Sequence, residues 1–270
     1  MMEDRFIDYK GHKVHYGVAG NAAECKPVVL LHGFTEAIFV WERLSRCLSQ
    51  RGFYAVAIDL AGHGRTEMFA HSHTMELQAE IVQAVMQAEK IEKAVMIGHS
   101  MGGYVAAAFA CLYPRQVAGV GFFHSNPAAD TEAGRENRRR TLTLLEAGHT
   151  SFMNQFTADL FAPDTAQNYP DAVAALQASS KNMGAEAIAA AQRGMLERPS
   201  RLAVYDLPVP FLFIIGKQDA KADVPKLMAQ SLLPQQSYVQ LLPCGHMGMY
   251  ECPAQTETLV CGFASVCFFS

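Results

Sequence analysis

The sequence predicts an α/β fold, with a mostly parallel central sheet, helices on both faces and an inserted helical block. Three observations carry this. Short apolar runs alternate with segments of helical period. That rhythm stops between Asn126 and Leu207, where only helical patterns occur, and then resumes. The chain has 270 residues, which suits one α/β domain with an inserted subdomain and a large buried core. Parallel strands need crossover connections, so strands that alternate with helices imply a mostly parallel sheet.

Arg5–Tyr9 and Lys13–Val18 alternate in polarity around Lys10-Gly11-His12 and predict an opening hairpin. Pro27–Leu31 is a buried strand that ends in His32-Gly33. Val40–Gln50 has helical spacing (Trp41, Leu44, Leu48) and stops at Gly52. Tyr54–Ile58 is a strand ending at Asp59. Met75–Ile91 places Leu77, Ile81, Val85 and Ala88 on one face, with Thr74 as N-cap. Ala94–Ile97 is a strand, Met101–Tyr113 a helix closed by Pro114, and Val117–Phe123 a strand. Ala-rich helical stretches follow at Glu132–Ala147, Ser151–Leu160, Asp171–Ser180 and Ala185–Leu196. Phe211–Ile215 and Tyr238–Leu242 restore the strand pattern around a helix at Val224–Leu232, and a last helix starts near Gln255.

Half of the residues are hydrophobic and 18% are charged, the balance of a folded globular chain. A net charge of −4 argues against nucleic acid, which needs a basic face. The single basic cluster, Arg138-Arg139-Arg140, reads as a solvated helix face. The start MMEDRFIDYKG has acidic residues where a signal peptide is basic. Leu259–Phe269 is apolar but shorter than the ~20 residues that span a bilayer. Seven cysteines, at 25, 47, 111, 244, 252, 261 and 267, form no CxxC pair. They read as small buried residues in a reducing compartment, so a cytoplasmic protein without a metal or cofactor is expected.

Gly98-His99-Ser100-Met101-Gly102 matches G-x-S-x-G. As a bare pattern it is weak. Its context strengthens it, since an apolar strand runs into it and Gly102-Gly103 opens a helix. So tight a strand-to-helix turn strains the central residue, and flanking glycines make room for it. The serine oxygen is then exposed above a helix N-terminus that favours developing negative charge.

With His32-Gly33-Phe34, Asp59-Leu60-Ala61-Gly62-His63-Gly64, Gly216-Lys217-Gln218-Asp219 and Gly245-His246, the chain resembles the α/β-hydrolase superfamily from about residue 25 to its end, apart from the helical block. Thr66 departs from it, since relatives often carry serine after the Gly-x-Gly turn. The resemblance implies a core of residues 1–125 and 208–270 and a helical cap of 126–207. It also implies a catalytic serine at Ser100 and a catalytic histidine at His246, in the short loop after a late strand, which completes the order Ser…Asp…His. Asp219 holds the usual acid position. Asp223 is its competitor and reads better as the start of a helix. Some relatives carry the acid after the preceding strand, where this chain has His124-Ser125-Asn126 and no carboxylate until Asp130. By the same resemblance the N–H groups of Phe34 and Met101 form the oxyanion hole. His32, His63 and His99 fall within turn motifs, where they are expected to pack loops and not to move protons.

Haloalkane dehalogenases and epoxide hydrolases resemble this fold but use aspartate at the turn, so Ser100 points to acyl chemistry on esters or thioesters. Carbon–carbon bond hydrolases also use serine, but their glycine-rich stretch after the first His-Gly is replaced here by Phe34-Thr35-Glu36. Acyl transfer and small-molecule sensing with slow hydrolysis are the other readings of the same parts. Within the helical block Phe152, Phe156 and Leu160 share one face, followed by Phe161. They either glue the block to the sheet domain or, with Phe34, roof the pocket. The block has eight Lys or Arg and ten Asp or Glu. The expected partner is therefore a small-molecule substrate with a small or medium apolar acyl group.

Overall fold

A computed structural model describes residues 2–24, 26–163 and 165–269. The chain opens with an antiparallel hairpin of β1 (Glu3–Tyr9) and β2 (His12–Ala19). Lys10 and Gly11 turn it at φ 53° and 81°, the primed geometry that matches strand twist. β3 (Pro27–Leu31) leads through a 3-10 turn, Ile38–Trp41, into α1 (Glu42–Gln50). The helix expected from Val40 thus begins two residues later, because Asp59 Oδ1 accepts the Ile38 N–H at 2.8 Å and holds that turn. β4 (Tyr54–Ile58), α2 (Met75–Ala88), β5 (Ala94–His99), α3 (Met101–Leu112) and β6 (Val117–Phe123) follow. Thr74 caps α2, its hydroxyl accepting the Leu77 N–H at 3.2 Å.

After β6 come α4 (Glu132–Glu146), α5 (Phe152–Ala158) and α6 (Pro170–Glu197). Two helical stretches were expected where α6 runs. They are joined by a kink at Gly184, whose φ of 75° and ψ of 167° suit only glycine. On α4, Arg139 and Arg140 pair with Glu132 and Glu136 in solvent, as expected of a charged face. Arg138 does not. One residue along a helix turns ~100°, and Arg138 is directed inward to Asp130 and Gln192. β7 (Phe211–Gly216), α7 (Val224–Gln230), β8 (Ser237–Leu242), α8 (Gly248–Glu251) and α9 (Pro253–Phe269) complete the fold.

The strands form one eight-stranded sheet in the order β1-β2-β4-β3-β5-β6-β7-β8, antiparallel at β1 and β2 and parallel elsewhere. β3 is wholly buried, and its alternation feeds both faces. Val29 and Leu31 join the core on one side, Val28 and Leu30 the core on the other. Beyond β3 the connections lead outward in both directions, which opens a crevice at the carboxyl ends of β3 and β5. Leu31 is in register with Gly98, so the loop after β3 and the turn after β5 are neighbours there. The six described cysteines are free, three of them buried, and Cys25 lies outside the described residues. Among the described residues no helix is long and apolar enough to cross a membrane.

Candidate active site

Ser100 occupies the turn between β5 and α3 with φ 49° and ψ −114°, a strained conformation for a residue with a Cβ. Its surroundings hold it there. The Ser100 N–H donates to Phe123 O at 3.0 Å. Its carbonyl accepts from the Gly103 N–H at 3.0 Å and from the Ser125 hydroxyl at 2.6 Å. A Cβ on Gly98 would lie 2.2 Å from Gly102 O, and one on Gly102 would lie 2.2 Å from Leu31 O. The glycines are therefore required by close approach of backbone to backbone. α3 begins at Met101, so its first N–H groups have no partner within the helix and point a partial positive charge at the turn.

Phe34 stands in the neighbouring loop, and Glu36 fixes that loop by accepting the Gly33 N–H at 2.7 Å. The Phe34 ring meets Phe156 edge-on, with centroids 5.9 Å apart. On the other flank, His246 Nδ1 lies 2.7 Å from Asp219 Oδ2. A proton on Nδ1 satisfies that carboxylate and leaves Nε2 as the acceptor, the tautomer a general base needs. Burial raises the Asp219 pKa, but the His246 charge and hydrogen bond, helped by the Lys221 N–H, outweigh it and hold the carboxyl at about 2. Asp223 instead caps α7, accepting the Lys226 N–H at 3.0 Å. The structure thus pairs His246 with Asp219 and leaves Asp223 at a helix start.

Four further histidines have defined partners, and two of them, His99 and His124, pack against His246. His32 Nε2 accepts the Leu60 N–H at 3.0 Å, and His63 Nδ1 donates to Ala61 O at 3.0 Å, so both hold turns. Buried His99 has Nδ1 3.1 Å from the Glu36 carboxylate and Nε2 2.8 Å from His246 O. Both partners are acceptors, which requires an imidazolium. Burial opposes that charge, but Glu36 outweighs burial and raises the His99 pKa. His124, at the end of β6, lies 3.6 Å from Asp219 Oδ2. Burial pushes its pKa well below the usual range and keeps it neutral. Its role in the site had no sequence signal, since only the sheet brings β6 beside β7.

Ser100 and His246 open into a common cavity of about 450 Å³. Phe34, Phe156 and Leu160 line one part of it. The aromatic stripe of the helical segment therefore divides, with Phe156 and Leu160 at the cavity while buried Phe161 stacks on Tyr169 at 5.4 Å. Another part of the wall is charged. Asp130 accepts from Arg138 Nε at 2.6 Å and from Arg198 Nη1 and Nη2 at 2.8 and 2.6 Å. Composition, near balance over residues 126–207, concealed this gathering of charge at the cavity.

A model of the alpha/beta hydrolase family matches residues 28–258, and the chain belongs to that family. A thermophilic esterase from Thermogutta terrifontis superposes with a TM-score of 0.89 at 26% identity, over 98% of this chain and 99% of that one. Lipase 1 of Psychrobacter immobilis is 25% identical over 268 residues, covering 95% of this chain and 82% of the lipase. A putative non-heme haloperoxidase of Mycobacterium phage D29 is 28% identical over 149 residues, so the match spans 55% of this chain and about half, 49%, of that relative.

Proposed function

We propose that the protein hydrolyses carboxylic esters of small to medium acyl groups through an acyl-enzyme on Ser100. Ser100 Oγ attacks the acyl carbon while His246 takes its proton, and Asp219 orients the imidazole and balances the charge it gains. The alcohol leaves with that proton. A water deprotonated by His246 then adds to the acyl-enzyme, and the acid departs as Ser100 recovers its proton. The N–H groups of Phe34 and Met101 receive the developing oxyanion. The helices of residues 126–207 serve as a cap over the pocket, with Phe156 and Leu160 against the acyl chain.

What supports this reading most is Ser100 itself, a serine held at φ 49° where β5 meets the start of α3, in the same cavity as His246, whose Nδ1 meets Asp219. A fluorophosphonate probe tests it. Labelling of the native chain and none of Ser100→Ala is the expected result, beside ester turnover that vanishes in the same variant. Turnover of thioesters without esters would move the reading to thioester chemistry, and no labelling would remove Ser100 as nucleophile.

A further inference from the structure

The charged wall of the cavity has an unusual bonding state. Asp130 spends both carboxylate oxygens on Arg138 and Arg198. Gln192 Oε1 is taken by Arg138 Nη1 at 2.8 Å, and Asn126 Oδ1 by the Ala128 N–H at 2.9 Å. The acceptors of these three side chains are therefore engaged. The donors are not. Among the described residues Arg138 Nη2, Gln192 Nε2 and Asn126 Nδ2 have no hydrogen-bond partner, and all three residues line the cavity.

Charge points the same way. Two guanidinium groups share one carboxylate, which leaves one positive charge over. The cluster is also anchored. Arg198 is buried, with its guanidinium 3.8 Å from the centre of the Tyr104 ring. Tyr104 is four residues along α3 from Ser100, a rise of ~6 Å, so the cluster is within reach of a small molecule bound at Ser100. A group made only of acceptors and carrying one negative charge complements such a wall.

We propose that this wall, with Arg138 at its centre, binds a carboxylate carried by the substrate. The preferred ester then has a free carboxylate on its acyl or its alcohol part, and its apolar chain lies against Phe156 and Leu160. The proposal rests on the reading of Ser100 as nucleophile and adds a substrate class to it.

Two matched pairs test it by kcat/KM. Monomethyl adipate against methyl hexanoate places the charge on the acyl side, and 2-butyryloxyacetate against propyl butyrate places it on the alcohol side. The anionic member should win by ~10-fold or more in one pair, since a hydrogen bond to a charged group is worth that much. The winning pair identifies the side. The preference should fall to near one in Arg138→Met, and by several-fold in Gln192→Leu, which removes one donor and keeps Asp130 between its two arginines should Arg138→Met fail to fold. Equal or faster turnover of the neutral member in both pairs would overturn the proposal, as would a preference that survives both substitutions. A binding measurement separates this from failure of the catalytic reading. Adipate should raise the Tm of Ser100→Ala but not of Ser100→Ala combined with Arg138→Met, and less in the combination with Gln192→Leu. If Ser100 proves inert to fluorophosphonate, that shift still supports the anion site, and its absence sinks it.

Discussion

The Glu36 carboxylate lies 3.1 Å from His99 Nδ1, and both side chains are closed off from solvent. Glu36 also takes the Gly33 N–H, and His99 donates to the carbonyl of His246. One ion pair therefore ties the loop that carries Phe34 to the backbone of the candidate base.

Replacing Glu36 by Gln should cost about 3 kcal/mol of stability, because it strands a buried imidazolium or forces it to lose its proton. The pH dependence has a definite sign. His99 is raised above 6.5, so its contribution is complete below that pH and fades as pH rises through the folded value. Glu36 is lowered below 4.5 despite its burial, because His99 and the Gly33 N–H outweigh desolvation. Its contribution is complete above 4.5 and fades as pH falls through the folded value. Thermal denaturation from pH 4 to 9 should show a steeper alkaline decline in the native chain than in Glu36→Gln. Parallel curves would contradict a charged pair.

Asp219→Asn and Asp223→Asn should part company. Loss of the carboxylate on His246 Nδ1 favours the wrong tautomer and should lower ester turnover by ~10⁴-fold. Asn caps a helix about as well as Asp, so Asp223→Asn should stay within a few tenths of a kcal/mol of native stability and near native turnover. A severe defect in Asp223→Asn beside an active Asp219→Asn would reassign the acid. In the native chain, the stability that Asp219 supplies is present above its ordinary 3.8 and drains away as pH falls toward about 2.

The sheet was legible because its strands are short apolar runs bounded by turn residues. The strand-to-helix turn at Ser100 was legible from its flanking glycines, and the loop that carries His246 from its place after a late strand. Three features were not. Arg138 sits inside a basic triplet, and only the helix rotation separates it from Arg139 and Arg140. Asp130, its partner, and Arg198, which shares that carboxylate, are 68 residues apart, a distance no local pattern spans. Glu36 and His99 are 63 apart and meet only because β3 and β5 are adjacent. The kink at Gly184 was half legible, as a gap between two helical stretches.

Asp130→Asn should be more harmful than its partly open position suggests. Asp130 is held below the usual carboxylate range because Arg198 and Arg138 together outweigh the cost of burying it. Without its charge two guanidinium groups face each other with nothing between them, and buried Arg198 cannot escape to water. The expected loss is about 3 kcal/mol by chemical denaturation at pH 7. Arg138→Met leaves the Arg198–Asp130 pair intact and should cost less. The opposite ranking would mean that Asp130 is not the keystone of the cluster.

Ser100→Gly and Ser100→Ala remove the same hydroxyl but should differ in stability. At φ 49° and ψ −114° the strain belongs to the Cβ, which alanine keeps and glycine lacks. Glycine gains freedom in the unfolded chain, which offsets part of the relief. Relief of ~1–3 kcal/mol against an offset of ~1 kcal/mol leaves Ser100→Gly the more stable variant by about 1 kcal/mol. Both should be blank to fluorophosphonate, so the comparison isolates the backbone. Urea denaturation of the two side by side measures the difference. Equal midpoints, or a more stable Ser100→Ala, would show that the turn stores no strain at the serine. In that case its geometry would be set wholly by the close contacts of Gly98 and Gly102 with their neighbours.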